Sequence, residues 1–166
     1  MRRIVFVICV VVSVSLFICN IGLCRNGTQK IQYKDYVWGT KKSEVKKLII
    51  DDGYEVKKKY KNDLEYNEYI FSSKVNIELL FTPKSNRLYH ICIIDVEDEN
   101  RDFYKKLKKT YNKKYGSNSK EGKDLCWIKN NRRVCLKECT FLSGFELHYV
   151  SDKYRSLYVK EHMDKL

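Results

Sequence analysis

The sequence predicts an α+β fold: an antiparallel sheet with two amphipathic helices packed on one face. Three observations lead there. Two segments repeat apolar residues at helical spacing, other segments alternate with the period of a strand, and turn signals join those strands as hairpins. Helices set apart from runs of hairpin-linked strands build an α+β layer rather than a parallel sheet. The order helix then hairpins occurs twice, which also allows two similar repeats.

The chain opens on Met1-Arg2-Arg3 and an uncharged apolar run, and no charge returns until Arg25. A positive start, an apolar stretch and small residues near its exit form the plan of a secretory signal. Residues 1–24 are therefore expected to be a signal peptide or a membrane anchor, with the protein secreted, periplasmic or tethered to the outer face of a membrane. Gly22 and Cys24 fit a signal-peptidase site, which would put the mature start near Arg25. Cys24 as a lipid-modified first residue is an alternative, although Leu23 stands where a lipoprotein signal carries a small residue. The run from Ile4 to Cys24 also reaches the roughly 20 residues that span a bilayer, so an uncleaved anchor stays open.

Beyond this segment, 31 of the 33 Lys+Arg and all 21 Asp+Glu share 142 residues, a net charge near +10. One proline, 43% hydrophobic residues and no low-complexity linker indicate a single folded unit over residues 37–166. Residues 25–36 read as a leader with an Asn26-Gly27-Thr28 sequon. Positive charge speaks to anionic partners rather than to fold. Outside a cell those partners are lipid headgroups, wall polymers and acidic proteins. Export disfavours nucleic acid, and membrane contact is expected only through residues 4–24. Many lysines, such as Lys46, Lys47, Lys105 and Lys109, fall on outer helical faces, where solvation accounts for them.

The first helix is expected over 41–52. Thr40 offers a hydroxyl as N-cap, Val45, Leu48 and Ile49 share a face, and Gly53 supplies the left-handed stop. Trp38 is expected to pack beneath it. Residues 54–60 and 66–72 are strand-like but polar. Val75, Ile77, Leu79 and Phe81 alternate with neighbours of the other face, Pro83 to Asn86 is turn material, and 88–96 is a strand, so 74–96 reads as a hairpin. A second helix starts near Asp98 or Asn100. Leu107 and Tyr111 continue the stripe begun by Phe103, and Gly116 stops it. A loop is expected over 117–123, then strands over 124–129, 132–139 and 145–150, with a last one over 154–160.

Asn130-Asn131 tolerates the positive φ that both central residues of a type I′ turn need. With that two-residue loop, Lys129 faces Arg132, Trp127 faces Val134 and Cys126 faces Cys135. The cysteines then occupy a non-hydrogen-bonded pair, where Cα atoms approach to about 4.5 Å. That is within disulfide reach, and export favours oxidation. Cys126–Cys135 is therefore the expected disulfide, and Cys92–Cys139 a second, weaker pairing. The same register puts Leu125, Trp127, Val134 and Leu136 on the core face. No knuckle spacing of Cys or His occurs, so neither a metal nor a cofactor is expected.

Catalytic motifs are absent from the sequence: it has no Gly-x-Ser-x-Gly, no His-Glu-x-x-His and no phosphate-cradling glycine loop. His90 and His148 lie in apolar strands and His162 in the charged tail. Glu146, His148 and Asp95 could meet on a sheet face, but a satisfied strand histidine is the simpler expectation. An enzyme is not expected.

Residues 36–53 join an aromatic-Gly-Thr element to a short helix, with strands following. Leu79-Leu80-Phe81-Thr82, Leu88-Tyr89 and Tyr111–Gly116 continue that pattern. In this the chain resembles small exported bacterial domains of the β-lactamase-inhibitor-protein-like group and the small outer-membrane assembly lipoproteins. The resemblance implies an envelope binding or inhibitory module. The expected function is thus recognition of a protein or other macromolecule of the cell envelope. The 13 tyrosines and the positive charge suggest its surface: Tyr66, Tyr69, Tyr149, Tyr154, Tyr158, Arg132 and Arg133. Electrostatic binding of anionic lipid or wall polymer is the alternative. A hydrolase gathering His90 or His148 with carboxylates is a third reading.

Overall fold

The computed structural model describes residues 31–57, 60–95, 102–138 and 144–164. The export segment, Cys24, the Asn26 sequon, the Asp98 and Asn100 caps and Cys139 lie outside the described residues. Among the described residues no helix is long and apolar enough to cross a membrane.

Helix α1 (Lys42–Asp51) leads into β1 (Asp63–Ile70), β2 (Ser73–Phe81) and β3 (Leu88–Asp95). Helix α2 (Asp102–Tyr115) leads into β4 (Ser119–Glu121), β5 (Asp124–Lys129), β6 (Arg132–Glu138) and β7 (Phe145–Ser151), and α3 (Asp152–Met163) follows. Among the described residues the strands form one seven-stranded sheet in the order β1-β2-β3-β7-β6-β5-β4. Every neighbouring pair is antiparallel. Each of the first two helices is thus followed by a meander, and the last strands of the two meanders, β3 and β7, pair in the middle. The α+β class with an antiparallel sheet holds.

One face of this sheet carries the core. Tyr66, Ile77, Ile93, Leu147, Val134 and Trp127 project from successive strands into one buried cluster. Val45 and Ile49 of α1 and Leu107 and Tyr111 of α2 belong to the same cluster. Burying such side chains is worth about 1.5–3 kcal/mol each. The segment expected to be a leader contributes Ile31, Tyr33 and Tyr36 to it. Trp38 is buried as expected and its indole N–H donates to the Ile31 carbonyl at 3.1 Å.

Several boundaries differ from expectation. The N-cap of α1 is Lys41 and makes no side-chain cap hydrogen bond. Thr40 is instead held in a turn by Val37, while its carbonyl accepts the Leu88 N–H. The Asn86 carbonyl takes the first helical N–H, that of Lys42. Around 54–60 the described residues form only a bridge, Lys57 with Glu65. Strand β1 ends at Ile70 because Phe71 and Ser72, at φ +50° and +72°, make the turn to β2. The expected loop over 117–123 contains an edge strand, since Gly122 at φ +67° closes a hairpin between β4 and β5. The last expected strand, over 154–160, is part of the helix α3. Its tyrosines and Val159 have strand propensity, but Tyr154, Tyr158 and Glu161 recur at helical spacing and the sheet gives the segment no neighbour to pair with.

Candidate functional site

The second face of the sheet carries a cleft of about 420 Å³ between β3, β5–β7 and α3. Strand alternation puts His90 and Cys92 of β3 on this face, opposite Ile91 and Ile93 in the core. On β7 the same alternation brings Glu146 and His148 to it. A β-bulge shapes the mouth. Phe81 pairs with Leu88 and Leu80 with His90, so Tyr89 is the inserted residue. Bulges re-aim side chains, and here Tyr89 lies over Tyr158 of α3 with ring centroids 4.8 Å apart.

The result is a continuous row of rings. His162 stacks on Tyr158 at 5.8 Å, Tyr158 on Tyr89, Tyr89 lies 6.0 Å from His90, and His90 stacks on His148 at 5.1 Å. Nε2 of His90 lies 2.9 Å from Nδ1 of His148. Nε2 of His148 lies 2.7 Å from a carboxylate oxygen of Glu146. With Glu146 ionised, the Nε2–H of His148 donates to it and Nδ1 accepts from the Nε2–H of His90. Cys92, the cross-strand partner of His148, holds its sulfur 3.9 Å from Nε2.

Burial keeps these imidazoles neutral. It pulls His90 down to about 3, helped by His148 and by the charges of Arg155 and Lys137. Burial also lowers His148, while the Glu146 carboxylate pulls the other way. Tyr89 is pushed up to about 12, again by burial first. The cleft rim carries charges of both signs. Arg133 pairs with Asp152 at 3.0 Å and Glu121 at 3.4 Å, and Lys137 with Asp124 at 3.5 Å. Arg155 has no ion-pair partner among the described residues.

The disulfide Cys126–Cys135 forms the adjoining floor, with Cα atoms 4.2 Å apart in the register expected. Cys135 is in turn the cross-strand partner of His148. The Cys92–Cys139 pairing involves a residue outside the described ones.

The surface expected from the tyrosines is not one surface. Tyr66 and Tyr149 are buried in the core, at 0% and 3% exposure. Their hydroxyls explain why: Tyr66 bonds Tyr36 at 3.2 Å and Glu68, and Tyr149 bonds Tyr111. Lys34 closes that network on Glu68 at 2.9 Å. Tyr69 is exposed on the edge strand β1. Tyr154 is half-buried over Gly39. Arg132 is half-buried on β6 as the partner of Ser151. Only Arg133 and Tyr158 reach the cleft. Sequence reasoning missed Tyr89 and Arg155; the spacing of Arg155 one turn before Tyr158 and Val159 was the available signal. Of the groups named for a hydrolase, His90 or His148 with carboxylates, the structure brings both histidines together, with Glu146 against His148. The side chain of Asp95 is not among those described.

These features define an α+β protein with a charged, aromatic cleft on the second face of an antiparallel sheet. Compared with protein-family models, curated proteins and solved structures, the chain matches none.

Proposed function

We propose that this chain is an exported binding module, not an enzyme, that recognises an acidic segment of a protein of the cell envelope. One observation carries the reading: the Tyr89–Tyr158 stack stands beside Arg155, a guanidinium with no ion-pair partner among the described residues. Aromatic and Arg side chains are the usual anchors of an interface. The apolar start of the sequence supports the exported location.

The test is capture of envelope proteins on the immobilised chain, followed by titration of the recovered partner. Arg155→Glu and Tyr158→Ala are expected to weaken binding at least about 30-fold each, the scale of a hot spot. Tyr69→Ala, on the far edge strand, is expected to change it little. The overall charge of +12 favours a second reading, adsorption to anionic lipid or wall polymer. Such binding collapses at 1 M salt, where the screening length falls to about 3 Å. Binding that survives salt yet fails in Arg155→Glu supports the cleft; salt-sensitive binding indifferent to Arg155 supports bulk charge.

A further inference from the structure

On the cleft's face of the sheet, where His148 lines the cleft, two paired strands bring together a sulfur, an imidazole nitrogen and a carboxylate. The ligand atoms of Cys92, His148 and Glu146 all lie within 4.8 Å of one another. We propose that these three residues form a binding site for a zinc-class transition-metal ion, with a fourth position open to the cleft.

Three features argue for it. The first is geometry. In a tetrahedral zinc site sulfur and nitrogen ligands, at about 2.3 and 2.0 Å from the metal, stand about 3.5 Å apart. The Cys92 sulfur and Nε2 of His148 stand 3.9 Å apart, so a few tenths of an ångström bring them into place. The Glu146 oxygen, 2.7 Å from Nε2, moves outward by a similar amount, and its side chain is 36% exposed and able to swing.

The second is the far side of the imidazole. A metal-ligating histidine nearly always offers its other ring N–H to a fixed acceptor, which sets the tautomer. Nδ1 of His148 has one, Nε2 of His90 at 2.9 Å. For Nε2 of His148 to take the metal, its proton moves to Nδ1 and donates to Nε2 of His90, while the His90 proton moves from Nε2 to its own Nδ1, so both imidazoles stay neutral. The Cys92 thiol releases its proton to solvent as the thiolate binds the metal.

The third is charge. A thiolate, a carboxylate and a neutral imidazole balance a divalent ion. Lys137, the cross-strand partner of Glu146, is paired with Asp124 at 3.5 Å. The mixed sulfur, nitrogen and oxygen set suits zinc better than calcium or magnesium, which take oxygen alone. The neighbouring grouping of Glu121 with Cys126 and Cys135 differs, because both of its sulfurs are in the disulfide.

The experiment titrates the full chain, disulfide intact, with Co²⁺ and then Zn²⁺. One equivalent of Co²⁺ is expected to produce a thiolate-to-cobalt charge-transfer band that Zn²⁺ abolishes, and Zn²⁺ is expected to raise Tm. Cys92→Ser should remove the band. Glu146→Gln should weaken binding at least tenfold, and His90→Ala by about 10–100-fold through the imidazole it orients. Glu146→Gln keeps the proposal falsifiable if the more buried variants fail to fold. Zn²⁺ should also protect Cys92 from alkylation. No charge-transfer band in the parent chain would overturn the site. So would equal affinity in Glu146→Gln, or a Cys92 that resists alkylation in the unfolded, unreduced chain.

Discussion

At Gly39 the backbone holds φ at +83° while the ring of Tyr154 fills the space a Cβ would take. Both conditions exclude a side chain. Gly39→Ala is therefore expected to lose more than about 1 kcal/mol of stability, measured by urea unfolding, because Ala is strained at positive φ and the ring must also move. Glu161 is the second residue whose identity is fixed by a long-range contact. It is buried, and it accepts the N–H groups of Lys84 and Ser85 at 2.7 and 3.1 Å and the Ser85 hydroxyl at 2.5 Å. Burial pushes its carboxyl up, but these hydrogen bonds outweigh burial and hold it below the ordinary range. A depressed folded pKa means the unfolded chain holds the proton more tightly. The contribution is therefore complete above the unfolded value of about 4.3 and is lost as pH falls through the lower folded one. Glu161→Gln should lower stability by about 1–3 kcal/mol at pH 7 and flatten the acid limb of the stability profile. Identical acid limbs in the two proteins would refute the assignment. Neither Gly39 nor Glu161 could be read from sequence, since each is defined by a partner far along the chain.

The β5–β6 hairpin was legible as an element because its determinants are local. Asn130 and Asn131 adopt φ +50° and +56°, and this two-residue turn sets every cross-strand pair, Cys126 with Cys135 included. The bridge closes a loop with sequence separation 9. Chain-entropy arguments then give Cys126→Ser with Cys135→Ser a loss of about 2–3 kcal/mol, checked by denaturation of the double variant against the oxidised parent. Helix α3 shows the opposite case. Tyr154, Tyr158 and Val159 suit a strand, yet the helix forms because Tyr158 stacks on Tyr89, Tyr154 covers Gly39 and Glu161 caps the β2–β3 turn. Those three contacts are tertiary, and intrinsic propensity yields to them.

Across the whole molecule the two meanders share one sheet through β3 and β7, which exchange six residue pairs from His90–Val150 to Asp95–Phe145. A continuous sheet and one buried cluster predict a single cooperative transition. Trp38 precedes the first meander and Trp127 lies in the second. Single-tryptophan variants, Trp38→Phe and Trp127→Phe, are expected to report coincident urea midpoints, and separated midpoints would mean that the halves unfold independently. From sequence alone came the α+β class, the core face of β5 and β6 and the disulfide, all fixed by period-two alternation and a two-residue turn. The tertiary structure alone decided which tyrosines are core and which line a cleft, and that α3 is a helix. It also brought Cys92 against His148 and Glu146 across more than 50 residues of chain. Strand pairing at that separation leaves no spacing motif, because the ligand set belongs to two neighbouring strands and not to one loop.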